Sequence, residues 1–194
     1  MADEAEKSEG FEDFFAQVLS VIGKTTVEEV AALLKQEKKT VAVAESLTGG
    51  LISALLTSQP GSSDYFVGGI VCYSPRVKVM EVGVPASLIA RQGTVSEEVA
   101  LAMAEGIRKK FHAGIGLAAT GVSGPATVSP PKPVGLTYVA LSSLKGTEMK
   151  KLELQGTRSE IREKAAQAAL GLLWLHLGGE EVVYRFGGPA AGDE

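Results

Sequence analysis

Ser46 has the clearest opportunity for chemistry in this chain. It sits in Thr40–Leu56, TVAVAESLTGGLISALL, where Val41 and Val43 alternate as in a short strand and Leu51, Leu55 and Leu56 follow at helical spacing. Between the two runs lies a small polar turn, Glu45-Ser46-Leu47-Thr48-Gly49-Gly50. A strand that ends in such a turn and opens a helix gathers N–H groups, a hydroxyl and a positive dipole end in one place, which suits an oxyanion or a phosphate. The same residue types build ordinary strand-to-helix turns and N-caps, so the turn alone does not separate a site from a cap.

A serine hydroxyl becomes a nucleophile only when a base takes its proton. The two histidines, His112 and His176, stand at the ends of predicted helices and read as solvated or capping residues, because cations are favoured there. A Ser-His-Asp triad has little to work with. A desolvated lysine or a tyrosine is the available base, and Lys78, five residues after Tyr73, offers that group or lowers the tyrosine's pKa by proximity. Taken alone, a Tyr at a strand end and a Lys on a short helix are common surface residues. Their spacing is also not the Tyr-x-x-x-Lys of short-chain dehydrogenases.

Thr120-Gly121-Val122-Ser123-Gly124-Pro125 forms a second small-residue turn, suited to cradling a phosphate through backbone N–H groups and equally readable as a tight turn. Arg158 and Arg162, just before or within the first turn of the last helix, are candidate phosphate partners; pairing with Glu160 or Glu163, or solvation, is the simpler role for either one singly. Neither G-x-G-x-x-G nor G-x-x-x-x-G-K-[ST] occurs. No two histidines or cysteines sit at ligand spacing, and the acids near the turns, Glu45 and Asp64, are isolated, so no metal and no cofactor is expected.

These residues need a scaffold, and the hydrophobic pattern supplies one. Residues 1–10 are polar and charged and read as a disordered tail. Phe11–Ile22 carries apolar residues at helical spacing, and Thr26 with Glu29 is a capping-box pattern opening a second helix on Val27, Val30, Ala31 and Leu34. Tyr65–Tyr73 reads as a strand buried on both faces, in which Gly68 and Gly69 mark a bulge or a close approach. Short helices follow near Val77–Glu81 and Pro85–Ala90, then a longer one opened by Thr94-Val95-Ser96-Glu97-Glu98 with Val99, Met103, Ile107 and Phe111 on one face. Ile115–Ala119, Val134–Ser142 and Met149–Leu154 are strands, the last two antiparallel because their connection is short. Ile161, Ala165, Ala168, Leu172 and Leu175 mark a long final helix, and residues from Gly187 read as a tail. The pattern predicts one α/β domain over residues 11–186, a three-layer α/β/α sandwich with a mixed, mostly parallel sheet. Ligands in such sheets gather beyond the carboxyl ends of strands, where the Ser46 turn, the Tyr73–Lys78 segment and the Thr120 turn would meet.

The 194 residues suffice for one well-buried core and are too few for two generous domains. A net charge of −4 without a basic block lacks the electrostatic footprint of a nucleic-acid binder. One cysteine, Cys72, excludes an intrachain disulfide, and its apolar surroundings suit a buried thiol. No apolar run reaches membrane-spanning length and the acidic N-terminus does not resemble a secretory signal, so a cytoplasmic location without membrane contact is expected. The apolar Phe11–Ile22 helix suits either docking onto the core or a homodimer surface.

Ala44-Glu45-Ser46-Leu47-Thr48-Gly49-Gly50, Pro60-Gly61-Ser62-Ser63, Gly68-Gly69 with Tyr73-Ser74, Lys78, Gly83-Val84, Gly93-x-Val95-Ser96, Ala119-Thr120-Gly121-x-x-Gly124-Pro125 and Lys132-Pro133-Val134-Gly135 resemble, in order and spacing, the CinA C-terminal domain family over about residues 25–178. The resemblance implies a stand-alone form of that domain which hydrolyses the carboxamide of nicotinamide mononucleotide to nicotinic acid mononucleotide and ammonia, without a metal. It makes Ser46 the nucleophile, with Tyr73 and Lys78 as activating partners. Glu45, Thr48, Gly49 and Gly50 from the first turn, Thr120, Gly121, Ser123 and Gly124 from the second, and Arg158 become the expected substrate-binding set. The start of the helix after Gly50 is expected to stabilise the oxyanion, and Lys78 or Tyr73 to protonate the departing ammonia. Two places depart from the family pattern: Pro75 stands where an Asn is usual, and Ala126–Pro131 replaces a glycine-rich stretch. They motivate the alternative of a catalytically silent nucleotide-binding or interaction domain.

Overall fold

The structure, a computed structural model, describes residues 25–125 and 131–179. The expected Phe11–Ile22 helix, both tails and all but Pro131 of the altered 126–131 stretch lie outside the described residues. In chain order the elements are α1 (Thr25–Gln36), β1 (Val41–Glu45), α2 (Leu51–Thr57), a 3-10 turn (Ser62–Asp64), β2 (Phe66–Val71), α3 (Pro75–Val82), α4 (Ala86–Gln92), α5 (Glu97–Lys110), β3 (Ile115–Gly121), β4 (Leu136–Ser143), β5 (Gly146–Glu153) and α6 (Arg158–His176).

The five strands form one sheet in the order β2-β1-β3-β4-β5. β1 is parallel to both neighbours, whereas β3–β4 and β4–β5 are antiparallel, so four of the five strands run the same way and β4 alone opposes them. The β4–β5 hairpin follows from its two-residue link, Leu144–Lys145, since a parallel return needs a long crossover. Every residue of β1 is buried. Val41 and Val43 point into the core made with α1, α2 and α6, including Val30, Leu34, Ile52 and Leu170. Ala42 and Ala44 point to the opposite face, against Val99, Met103 and Ile107 of α5. The alternation seen in the sequence thus serves two cores, and the strand that delivers Ser46 is clamped between three layers. This is the α/β/α architecture expected.

The Tyr65–Tyr73 run differs from expectation. It forms an edge strand, half-buried by alternation, with Val67 44% and Val71 49% exposed. An apolar run suggests burial on both faces, but β2 has a single sheet neighbour and α2 covers its inner face only in part. The two glycines act as expected. The pairing with β1 slips between Val41↔Phe66 and Ala42↔Gly68, and a Cβ on Gly69 would lie 2.5 Å from Ser53 Oγ. Other shifts are at boundaries: Pro85 is the N-cap of α4 rather than its first residue, β3 continues through Thr120 and Gly121, and β5 begins at Gly146. The charged residues of β5 hide its period because it is the other sheet edge, where charge blunts unwanted pairing.

α3 is held close to α5 by the absence of one side chain. A Cβ on Gly106 would lie 1.7 Å from the Val82 carbonyl oxygen, so any larger residue must push the two helices apart. Overpacking of this kind costs about 1–3 kcal/mol. Gly106→Ala is therefore expected to lower Tm by about 3–9 °C in thermal unfolding followed by circular dichroism. An unchanged Tm would mean that α3 has no fixed seat on α5.

Candidate active site

β1 ends at Glu45, and the chain leaves the sheet with Ser46 N–H donating to the Ala119 carbonyl at 2.9 Å. The last hydrogen bond of the sheet therefore fixes the backbone of the candidate nucleophile. Glu45, fully buried, turns back beneath α2. Its Oε2 accepts from the N–H groups of Gly50 (2.9 Å) and Ile52 (3.1 Å), and its Oε1 from the N–H (2.9 Å) and Oγ (2.7 Å) of Ser53. A carboxylate thus takes up the free donors and dipole end of a short helix. The expected oxyanion donors at the start of α2 are accordingly spent, and that part of the sequence reading is corrected. Glu45 carries the turn, with both oxygens occupied.

Lys78 comes from the first turns of α3. Ser74 caps that helix, its Oγ accepting from Val77 N–H at 3.3 Å, and Pro75 occupies the first helical position, where no N–H is needed. The departure at Pro75 therefore supports the helix that bears Lys78. The lysine is 1% exposed, and its Nζ donates to Ser46 Oγ (2.8 Å) and to the carbonyls of Cys72 (2.8 Å) and Tyr73 (3.3 Å). Among the described residues no carboxylate pairs with it. Burial holds its pKa below the ordinary lysine range, partly offset by the nearby Cys72 sulfur. All three contacts use Nζ as donor, and loss of one proton frees a lone pair that faces Ser46 Oγ while two N–H bonds stay on the carbonyls. Cys72 is buried, donates to the Glu45 carbonyl at 3.5 Å, and has its thiol pKa pushed up by burial.

Tyr73 goes elsewhere. The residue is 59% exposed and its hydroxyl accepts from Arg158 Nη2 at 3.2 Å, so only its backbone carbonyl meets Lys78. Arg158, the first residue of α6, also donates to Ser123 Oγ (2.9 Å) and to the Gly124 carbonyl. The helix start is fixed by a capping box between Thr157 and Glu160, which draws the Glu160 carboxylate away from Arg158 and, by those hydrogen bonds, lowers its pKa. Arg158 thus gathers Tyr73 and the Thr120 turn. Thr120 itself is buried and donates to the Thr94 carbonyl at 2.9 Å, while Gly121 pairs with Thr137 at the end of β3. A Cβ on Gly121 would lie 2.9 Å from Leu47 Cδ1, which brings the two turns into contact.

Arg162, read in the sequence as a candidate phosphate partner or more simply as paired with a neighbouring glutamate or solvated, binds the protein backbone instead. Its Nε donates to the Leu47 carbonyl and its Nη2 to the Thr48 carbonyl, both at 3.0 Å. The signal was present: Arg158 and Arg162 are four residues apart and so share a helix face. Ser53, unnoticed in the sequence, anchors Glu45. The structure brings together Ser46, Lys78, Thr48, Gly49, Ser123, Gly124, Tyr73 and Arg158 around two turns. His176 is far from them. It closes a hydrogen bond with Glu148 at 2.7 Å beside a cavity of about 340 Å³ at the opposite end of the sheet, lined by Lys39, Gly114 and Leu144 among others. Among the described residues no helix is long and apolar enough to cross a membrane.

Comparison with known proteins agrees with this fold. A CinA-like protein of Gemmatimonas aurantiaca is 47% identical over 150 residues, which cover 75% of this chain and 35% of the relative. A CinA-like protein of Dictyoglomus thermophilum is 43% identical over 152 residues, covering 78% of this chain and 37% of the relative. The chain thus spans little more than a third of the length of these curated relatives. Among solved structures, a competence-damaged protein (CinA) superfamily protein of Klebsiella pneumoniae superposes with a TM-score of 0.78 at 26% identity, covering 80% of this chain and 98% of that one. The competence/damage inducible protein CihA of Agrobacterium tumefaciens gives a TM-score of 0.75 at 31% identity, covering 80% and 94%. The family model of the CinA C-terminal domain matches residues 23–177, and the chain belongs to that family.

Proposed function

We propose that this chain is a serine amidohydrolase that deamidates nicotinamide mononucleotide through a Ser46–Lys78 dyad. The observation that carries the reading is the 2.8 Å contact between Ser46 Oγ and the Nζ of a buried lysine whose charge is disfavoured. Lys78 is the base and Tyr73 is not, because the tyrosine hydroxyl is engaged by Arg158. In the first step neutral Lys78 takes the Ser46 proton as Oγ bonds to the amide carbon, and the carbonyl electrons move onto oxygen. The ammonium of Lys78 then protonates the amide nitrogen, the C–N bond breaks and ammonia leaves an ester on Ser46. Water, deprotonated by the same amine, attacks that ester; the C–Oγ bond breaks, the Lys78 ammonium returns its proton to Ser46 Oγ, and nicotinic acid mononucleotide is released. One base serves both halves of the reaction.

Arg158 supports a mononucleotide as substrate. Its guanidinium meets only neutral partners among the described residues, Ser123 Oγ, the Gly124 carbonyl and the Tyr73 hydroxyl, which leaves its charge for a phosphate. The test is an assay of ammonia and nicotinic acid mononucleotide formed from nicotinamide mononucleotide. Equal amounts of the two products are expected. Calorimetric binding of the mononucleotide without ammonia over a long incubation would instead identify a silent binding domain, and turnover of other amides alone would redirect the substrate.

A further inference from the structure

We infer that Arg162 is a positioning residue that builds the oxyanion site of this enzyme by holding the Leu47–Gly49 turn from behind. The inference rests on the serine-hydrolase reading of Ser46. Its starting point is the loss of the obvious donors: the N–H groups of Gly50, Ile52 and Ser53 are all consumed by Glu45. A tetrahedral intermediate on Ser46 still needs donors. The N–H groups of Leu47, Thr48 and Gly49 have no hydrogen-bond partner among the described residues. Thr48 is fully buried and its Oγ1 is the one buried side-chain oxygen or nitrogen without a partner among the described residues. Buried polar groups are nearly always paired, so the unpartnered Thr48 hydroxyl, two residues from Ser46, marks a polar group of this turn that the fold itself leaves unused.

Arg162 decides where these donors point. Its two hydrogen bonds turn the Leu47 and Thr48 carbonyls toward α6. In a trans peptide the C=O and N–H lie on opposite sides of the unit, so the N–H groups of Thr48 and Gly49 face away from α6. Consecutive N–H groups aimed to one side form an anion-binding nest. Gly49 permits it: φ is +60°, and a Cβ there would lie 3.1 Å from Arg162 Nη2. The rigid fork of an arginine spans two adjacent carbonyls, which a lysine's single ammonium does less well. No carboxylate pairs with Arg162 among the described residues, so its full charge also sits behind the turn.

Arg162→Leu and Arg162→Lys are compared with wild type by two readouts. One is ammonia release from nicotinamide mononucleotide. The other is the rate at which a fluorophosphonate labels Ser46, in which Oγ bonds to phosphorus, fluoride leaves and Lys78 takes the proton, whatever the natural amide is. Arg162→Leu is expected to lower kcat and the labelling rate together by about a hundredfold, the loss typical of disabled oxyanion donors, with KM within threefold and the pH profile unmoved. Arg162→Lys recovers part of both, and millimolar guanidinium added to Arg162→Leu restores part of the labelling. A rise in KM with kcat and labelling intact would overturn the inference and make Arg162 a phosphate ligand. If wild type labels at Ser46 without turning over the mononucleotide, the substrate assignment fails while the labelling ratio still decides the role of Arg162. Absence of labelling at Ser46 in wild type would overturn both.

Discussion

Lys78→Met is expected to reduce kcat/KM for ammonia release by about a thousandfold, the scale of losing a positioned general base. Methionine nearly matches the lysine stem in volume, so the fold should persist, as circular dichroism can verify. The wild-type pH profile carries the same information. Only the neutral amine can accept the serine proton, so activity rises with pH as Lys78 deprotonates. Burial lowers the folded-state pKa, which places this rising limb below the range of a free lysine. Stability has the same sign. Between the lowered folded pKa and the ordinary unfolded one, the unfolded chain binds the extra proton, so stability increases with pH across that window and declines as pH falls through the folded value. Lys78→Met removes this slope. A limb at the ordinary lysine position, or a variant as active as wild type, would exclude Lys78 as the base.

Glu45→Ala is expected to act through stability as well as turnover. Four donors converge on this buried carboxylate, and truncation leaves all of them without an acceptor. An orphaned buried donor costs about 1–3 kcal/mol, and relaxation recovers part of that sum, so a net loss of about 3–5 kcal/mol is expected. At this chain length Tm should fall by about 6–15 °C. Turnover should fall too, because the turn bearing Ser46 and Thr48 loses its anchor. A substrate-contacting glutamate behaves differently: its loss raises KM and leaves Tm almost unmoved. Thermal unfolding of the Ala variant beside its KM separates the two roles, and an unchanged Tm would return Glu45 to the substrate.

Much of this arrangement was legible because its parts are local. Val41 and Val43 announce β1, Ser74 and Pro75 announce α3, and glycines sit where the turns must close, so the strand–turn–helix around Ser46 follows from short-range chemistry. The layer architecture follows from alternating helices and strands. What was not legible depends on long-range partners. The apolar composition of β2 does not reveal that it lies at an edge, since the same residues serve a central strand. Glu45 is an isolated acid in the sequence, and only the fold of α2 over β1 shows it gathering Gly50, Ile52 and Ser53. The separate fates of Lys78 and Tyr73 were hidden as well: five residues apart, they looked like one unit, yet the lysine turns inward to Ser46 and the tyrosine outward to Arg158. Arg162 was ambiguous for the same reason, because its partners are the Leu47 and Thr48 carbonyls more than a hundred positions earlier in the chain.

The proposed function makes Ser46 an acyl-accepting nucleophile, and one measurement tests that most directly. Ammonia release from nicotinamide mononucleotide is recorded for wild type and for Ser46→Ala at equal concentration, with circular dichroism confirming that both are folded. The account predicts steady release by wild type and a rate at background for Ser46→Ala with an unchanged spectrum. Wild-type turnover by Ser46→Ala would contradict it.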